Sequence, residues 1–308
     1  MRYYAAPKSG NPSSIEQDIQ PFRLNILCCH YWWLEVWKHL NLSYPYWRLY
    51  WNDQGGAEIY SSDRKWELTE KEIILIPPNT TFSTFYDPNG VSKEHRDHLV
   101  GGPLFSAPQH HNKQTNNDIL HHLFIHFTLG GAFNHVKKNI FRLKASEFEL
   151  NNINKLCSYL EKEPIVFDRQ HSLLLEGLII NILAQIPESS WNSTIIDERV
   201  SSTINRIDKH LNDKLTNAQL AKQVNMATNS FARLFSTEIG EPLQQYILRR
   251  RVEHACMLLH HTADSIDEIA LSSGFCDRYH FTRMFKKITG NTPGNYRSSY
   301  KFYSALRK

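Results

Sequence analysis

The sequence predicts an α+β protein in two parts: an N-terminal β-barrel with a helix pair, then an all-α C-terminal domain holding two helix-turn-helix units. Three observations carry this. Residues 45–85 break into short alternating runs bounded by turn residues, the signature of strands. Residues 146–186 switch to helical apolar spacing. Beyond residue 195 one pattern occurs twice, at an offset of about 50 residues.

In chain order, "YWRLYWND", "GGAEIYSS" and "RKWELTEKEIILIPPNTTFSTF" read as strands separated by Asn-Asp, Gly-Gly and Ser-Asp turns, and "LFIHFTL" (123–129) as another. Close spacing without intervening helices predicts a small barrel. The segment from Asp87 to Asn116 reads as a long surface loop. In "SEFELNNINKLCSYLEKE" the apolar residues Phe148, Ile153, Leu156 and Leu160 recur at helical spacing. The next helix, "DRQHSLLLEGLIINILAQI", is too apolar for one wet face, so its surplus predicts a helix-pair homodimer interface. With "PESSWNST" (187–194) as linker, the boundaries are 1–145 for the β domain, 146–190 for the dimerisation helices and 195–308 for the helical domain.

The repeat aligns "FARLFSTEIGEPLQQY" (231–246) with "FTRMFKKITGNTPGNY" (281–296), and "TNAQLAKQVNM" (216–226) with "SIDEIALSSGF" (265–275). In each unit, 216–240 and 265–290, Thr216 or Ser265 caps a short helix, a turn follows, and a second amphipathic helix ends at Gly240 or Gly290. Phe281, Met284, Phe285 and Ile288 are expected to be buried, leaving Arg283 and its counterpart Arg233 outside. A guanidinium so placed can fork onto guanine or clamp a phosphate; the bland alternative is a surface arginine paired with an acid. Between the units, residues 242–260 predict a helix about 27 Å long that can hold two reading helices near one DNA turn apart.

Composition is consistent with this. The chain has 308 residues and a net charge of +4. From Thr194 onward there are 17 Lys+Arg against 11 Asp+Glu, leaving 18 against 20 before it, so the basic excess lies in the last third. Neither an apolar run of membrane-spanning length nor a signal-peptide core occurs, and five scattered cysteines lack metal spacing. A cytoplasmic location with reduced thiols and no membrane association is expected.

The stretches "LAKQV", "SFARLF" and "SIDEIALSSGFCDRYHFTRMFKKITGNTPGNYR", with Arg251–Val252–Glu253–His254–Ala255 and Leu258–Leu259 in the connecting helix, resemble the DNA-binding domain of the AraC/XylS family of transcription regulators, over about residues 195–300. The resemblance implies base-facing positions at Asn229, Ala232 and Arg233 in the first unit, and at Arg278, Tyr279, His280, Thr282 and Arg283 in the second. Ala232 departs from a hydrogen-bonding role, since a methyl group can only touch thymine. Lys286 and Lys287 would contact phosphates. Double-stranded DNA and RNA polymerase are the implied macromolecular partners, with activation of catabolic genes the implied outcome.

"WELTEKEIILIPPNTTF" and "LFIHF" resemble, more weakly, the cupin-type sensor domain of the same family, with Glu70–Lys71 where a Pro-Gly is usual. Cupin enzymes hold a metal with a His-x-His, Glu and His set. That set is missing near "WRLYWND", so no enzyme activity, cofactor or metal is expected. Five of the seven tryptophans crowd into residues 31–51, and aromatic faces beside polar tips suit a small-molecule effector such as a carbohydrate. Trp33, Tyr46, Trp47, Arg48, His122, Phe124 and His126 are the candidate ligand residues; an aromatic core is the competing reading. A regulator of the same family without a ligand, and a cupin-type enzyme with an accessory helical domain, are the alternatives.

Overall fold

The computed structural model describes residues 22–61, 64–90, 97–106, 118–129, 133, 136–162, 166–191 and 197–298. Among these residues nine strands form one antiparallel sheet: β1 (Leu24–Leu42), β2 (Trp47–Asn52), β3 (Glu58–Ser61), β4 (Arg64–Glu67), β5 (Glu72–Ile76), β6 (Phe82–Phe85), β7 (His98–Pro103), β8 (Leu120–Leu129) and β9 (Phe141–Lys144). Their order is β4-β3-β6-β1-β8-β2-β5-β9, with β7 also on β1. The 19-residue β1 organises the sheet, pairing β8 and then β6 along one edge and β7 along the other. Its register shifts at Ile26/Cys28, Leu34/Val36 and His39/Leu42. Each bulge adds local bend and twist, which curls the sheet into a half-barrel.

Two strands were hidden from periodicity. β1 mixes the apolar run Tyr31–Leu34 with Asn25, His30, Glu35, Lys38 and His39, and its register shifts break the period-2 pattern. β7 lies within the segment expected to be a loop. Its Gly101 is required by close packing: a Cβ there would lie 2.3 Å from the Trp33 carbonyl oxygen. Residues 91–96 and 107–117 of that segment, including His110 and His111, lie outside the described residues.

Strand alternation sorts the side chains into two layers. One, with Tyr31, Trp47, Leu49, Leu123, Ile125 and Phe127, packs against α1 (Glu147–Leu160) and α2 (Arg169–Ala184). The other gathers Trp32, Trp37, Tyr44, Tyr46, Tyr50 and Phe124 on the concave side. Ser146 and Glu149 close a capping box at the start of α1, and Asp168 caps α2 by accepting from the His171 N–H at 2.9 Å. At the far end of the domain, Val136 bridges to Trp191.

The C-terminal domain comprises α3 (Glu198–Lys209), α4 (Asn217–Gln223), α5 (Thr228–Ile239), α6 (Leu243–His261), α7 (Ile266–Ser272), α8 (Arg278–Thr289) and α9 (Pro293–Ser298). Two cores result. Val200, Leu220, Phe231, Phe235 and Tyr246 fill the first; Val252, Ala255, Ile269, Phe281 and Phe285 fill the second. α6 contributes its first half to one and its second half to the other, so the helix-turn-helix pairs α4–α5 and α7–α8 share one rod.

Local detail repeats with the sequence. Thr216 with Gln219, and Ser265 with Glu268, form capping boxes. The inter-helix turns place Asn225 (φ 54°) and Gly274 (φ 81°) at equivalent points, and Gly240 and Gly290 end the second helices in left-handed conformation. One expectation fails. Ile288 is 42% exposed rather than buried, and Met284 is only partly covered; Tyr296 of α9 packs on Phe285 with ring centroids 5.3 Å apart.

Candidate functional site

The outward faces of α5 and α8 form the first candidate site. Phe231 and Phe235 turn inward on α5, as do Phe281 and Phe285 on α8, each pair at i, i+4 spacing. That fixes the opposite face. Asn229 and Arg233 are exposed on α5, with Ala232 partly covered. On α8, Arg278, Tyr279, Arg283, Lys286 and Lys287 are exposed, Tyr279 to 87%, while His280 and Thr282 are half-buried. Among the described residues neither Arg233 nor Arg283 has an ion-pair partner, so the surface-pair alternative finds no support there. Arg278 differs: it reaches Asp267 at 3.1 Å in an exposed pair worth at most about 1 kcal/mol. Asp277 caps α8, accepting from the His280 N–H at 2.7 Å, whereas Ala227 leaves the first turn of α5 without a side-chain cap.

The frame behind these helices is held by ions. Arg249 donates to Glu241 (2.6 Å) and Glu253 (2.7 Å), and Arg250 to Asp208 on α3 (3.0 Å) and Glu253 (2.7 Å). Arg251 donates to the carbonyl oxygens of Leu211 (2.8 Å) and Asp213 (2.7 Å), tying α6 to the loop after α3. Gly274 sits against this clasp: a Cβ there would lie 2.1 Å from the Leu211 oxygen and 2.8 Å from Arg251 Nε. Glycine alone allows the second turn to close on the first unit.

The second site is the concave layer of the half-barrel. Of the ligand residues expected there, Tyr46, Arg48, His122, Phe124 and His126 face one another. Trp47 does not. It is fully buried on the opposite face, stacked on Phe127 with ring centroids 6.0 Å apart, because neighbours along a strand alternate. Trp33 likewise points away, lying between Trp32 and Leu34, which are both in the concave layer.

Arg48 is 4% exposed. Its guanidinium donates to Tyr50 Oη (2.7 Å) and Tyr46 Oη (3.0 Å) and lies 3.3 Å over the Tyr44 ring, yet no carboxylate meets it among the described residues and its Nε is unpartnered. A buried cation without a counter-ion raises the local potential. Burial first, and Arg48 second, hold His122 down to about 3 and His261 also to about 3, and push His126 well below its ordinary value. These rings are neutral. His122 Nδ1 pairs with Asn52 Oδ1 at 2.7 Å, fixing its orientation against Trp37 and Tyr50.

What the sequence did not foretell is that α6 closes this layer. His260 and His261, in its last turn, enter the mouth of the half-barrel. His260 Nδ1 hydrogen-bonds Tyr46 Oη and its ring stacks on Tyr44 (centroids 5.6 Å apart), while His261 lies edge-on to His126 (5.4 Å). Asn79 adds a 3.4 Å contact to Glu253. Adjacent histidines in "MLLHHT" were the available signal, but nothing local says that they meet a strand more than 130 residues earlier.

Comparison with known proteins finds a helix-turn-helix match in the C-terminal domain. A helix-turn-helix domain family matches residues 220–299. An uncharacterised HTH-type transcriptional regulator of Staphylococcus aureus is 26% identical over 185 residues, which is 58% of this chain and 23% of that protein. The uncharacterised HTH-type transcriptional regulator YbfP of Bacillus subtilis is 32% identical over 112 residues, 36% of this chain and 38% of that one. The match thus spans under a quarter of the staphylococcal relative's length. Among solved structures, ToxT of Vibrio cholerae is 14% identical, with 90% of this chain and 98% of that chain covered and a TM-score of 0.45.

Proposed function

We propose, from the helix-turn-helix match over residues 220–299 and the resemblance of both units to the AraC/XylS family, that this chain binds specific sequences in double-stranded DNA and regulates transcription. The observation that carries the reading is the pairing of Arg233 and Arg283: the same position in two repeated units that share α6, both exposed and both without an acid among the described residues. A helix of 19 residues is about 28 Å long, short of one DNA turn by less than the width of a side chain, so α5 and α8 would enter successive major grooves on one side of the duplex. Base edges would be read by Asn229, Arg233, Arg278, Tyr279, His280, Thr282 and Arg283, with Ala232 supplying only van der Waals contact. Lys286 and Lys287 would neutralise phosphate. Anisotropy titration of a duplex against salt tests this: the expected log–log slope is several units, and a salt-independent affinity would count against it.

The concave layer is the seat of a small-molecule effector, a carbohydrate being the first class to try. Support comes from the tyrosine hydroxyls and the guanidinium of Arg48 set among aromatic rings. Because His260 and His261 of α6 fill its mouth, a molecule bound there has a direct route to the DNA-reading rod. It would act only by binding the two arrangements of α6 with different affinity. A homodimer through α2 is supported by Leu173, Gly177, Ile180 and Ala184, an exposed stripe at i, i+4, i+7 and i+11 left over once Leu175, Leu178, Ile179 and Ile182 face the sheet.

A further inference from the structure

A row of side chains runs across three strands of the half-barrel: Arg48 on β2 opposes His126 on β8, and His126 opposes Cys28 on β1, immediately after a register shift. His261 descends on this row from the end of α6. The Cys28 Sγ and one ring nitrogen from each of His126 and His261 lie within 4.8 Å of one another, and no other group of three such side chains does so among the described residues. His126 is 2% exposed and its Nδ1 has no hydrogen-bond partner; His261 Nε2 is likewise buried and unpartnered. Two orphaned imidazole nitrogens beside a thiol are costly to leave in a packed interface, at about 1–3 kcal/mol each. In the tautomer protonated on its other ring nitrogen, each offers the lone pair a metal needs.

We propose that Cys28, His126 and His261 bind one thiophilic d10 cation, copper(I) or zinc(II), at the junction of the half-barrel and α6. Around such an ion, bonds of roughly 2.3 Å to sulfur and 2.0–2.1 Å to nitrogen set the donor atoms roughly 3.5 Å apart. Closing from 4.8 Å needs shifts of about an ångström, available to a cysteine beside a bulge and a histidine in a terminal helical turn. Sulfur with imidazole excludes the hard cations magnesium and calcium. Binding displaces the thiol proton to solvent and leaves a thiolate, so copper(I) adds no net charge, whereas zinc(II) adds one positive charge beside Arg48; copper(I) is therefore the expected preference. The donors come from both parts of the chain, and an ion held by all three would fasten the DNA-reading rod to the half-barrel. That regulatory consequence rests on the transcriptional reading above; the site itself does not.

The test uses the full-length reduced protein, titrated anaerobically with copper(I) in competition with a chelator and, separately, with zinc(II). Metal content is measured after desalting, and the melting temperature is followed in parallel. One equivalent per chain, a rise in melting temperature, and at least a tenfold loss of affinity in both Cys28→Ser and His261→Gln are expected. Cys276→Ser, which removes an exposed thiol in the second helix-turn-helix unit, should bind as the parent does. His261→Gln keeps a polar side chain in a half-buried position, and circular dichroism establishes that it is folded. Failure of both metals to bind stoichiometrically, or binding undiminished in a folded Cys28→Ser or His261→Gln, overturns the proposal, and neither result bears on DNA affinity.

Discussion

Replacing Gly274 by alanine should damage the C-terminal domain far more than the same change at Gly240. Both glycines have φ 81°, so the conformational penalty for an L-residue is shared, at about 1–2 kcal/mol. Their surroundings differ. A Cβ at Gly240 meets nothing within 4 Å, whereas one at Gly274 would lie 2.1 Å from the Leu211 oxygen and 2.8 Å from Arg251 Nε. The Arg251–Leu211 hydrogen bond must then open, and a bond from a charged donor is worth about 1.5–3 kcal/mol. The expected costs are about 2.5–5 kcal/mol for Gly274→Ala and about 1–2 kcal/mol for Gly240→Ala. All seven tryptophans precede residue 195, so their fluorescence follows the β domain, while far-UV ellipticity is weighted toward the helical one. Urea titration with both probes should show the ellipticity midpoint of Gly274→Ala falling well below that of Gly240→Ala, with fluorescence unmoved. Equal ellipticity midpoints for the two variants would refute the idea that the clasp closes on a bare backbone.

Three further outcomes are expected. His122, held down to about 3 in the folded chain by burial and by Arg48, is neutral there but takes up a proton on unfolding below its ordinary value near 6.5. Its contribution is therefore intact above about pH 6.5 and declines by about 1.4 kcal/mol per pH unit as the pH falls toward 3; His122→Asn should flatten the stability–pH curve by about one proton in that window, and an unchanged slope would contradict the assignment. Ile180→Glu on α2 should convert a dimer to a monomer by light scattering without loss of helicity, because Ile180 is 46% exposed in the single chain. Asp277→Ala should cost about 0.5–2 kcal/mol through loss of the α8 cap, whereas Ala227→Ser should leave α5 unchanged or stabilise it, both read from urea midpoints.

How much of this was legible depended on where each signal resided. The helical domain could be read almost residue by residue, because its determinants are local: Thr216 and Ser265 cap, Gly240 and Gly290 terminate, and the phenylalanines recur at four-residue spacing. The expectation that failed there is Ile288, which is exposed, while Tyr296 joins the core from a separate helix. In the half-barrel, β1 escaped notice because its bulges interrupt the alternation, and β7 because its glycines mimic a loop. Of the residues expected to line one face, Arg48, Tyr46, His122, Phe124 and His126 do converge, but Trp47 and Trp33 were chosen for being aromatic and nearby, and strand parity sends both to the other face. The encounter of His260 and His261 with the half-barrel is tertiary information with no local trace.

The most direct measurement is selection of duplexes from a random pool by the parent chain, by Arg233→Ala and by Arg283→Ala, with Lys287→Ala as the phosphate-contact comparison. Two recognised clusters of bases about one helical turn apart are expected. Each arginine variant should relax one cluster by about 1–3 kcal/mol and leave the other intact, and Lys287→Ala should weaken every sequence alike. Arginine variants that lower affinity equally for selected and random DNA, or a single recognised cluster touched by both, would contradict paired reading by α5 and α8.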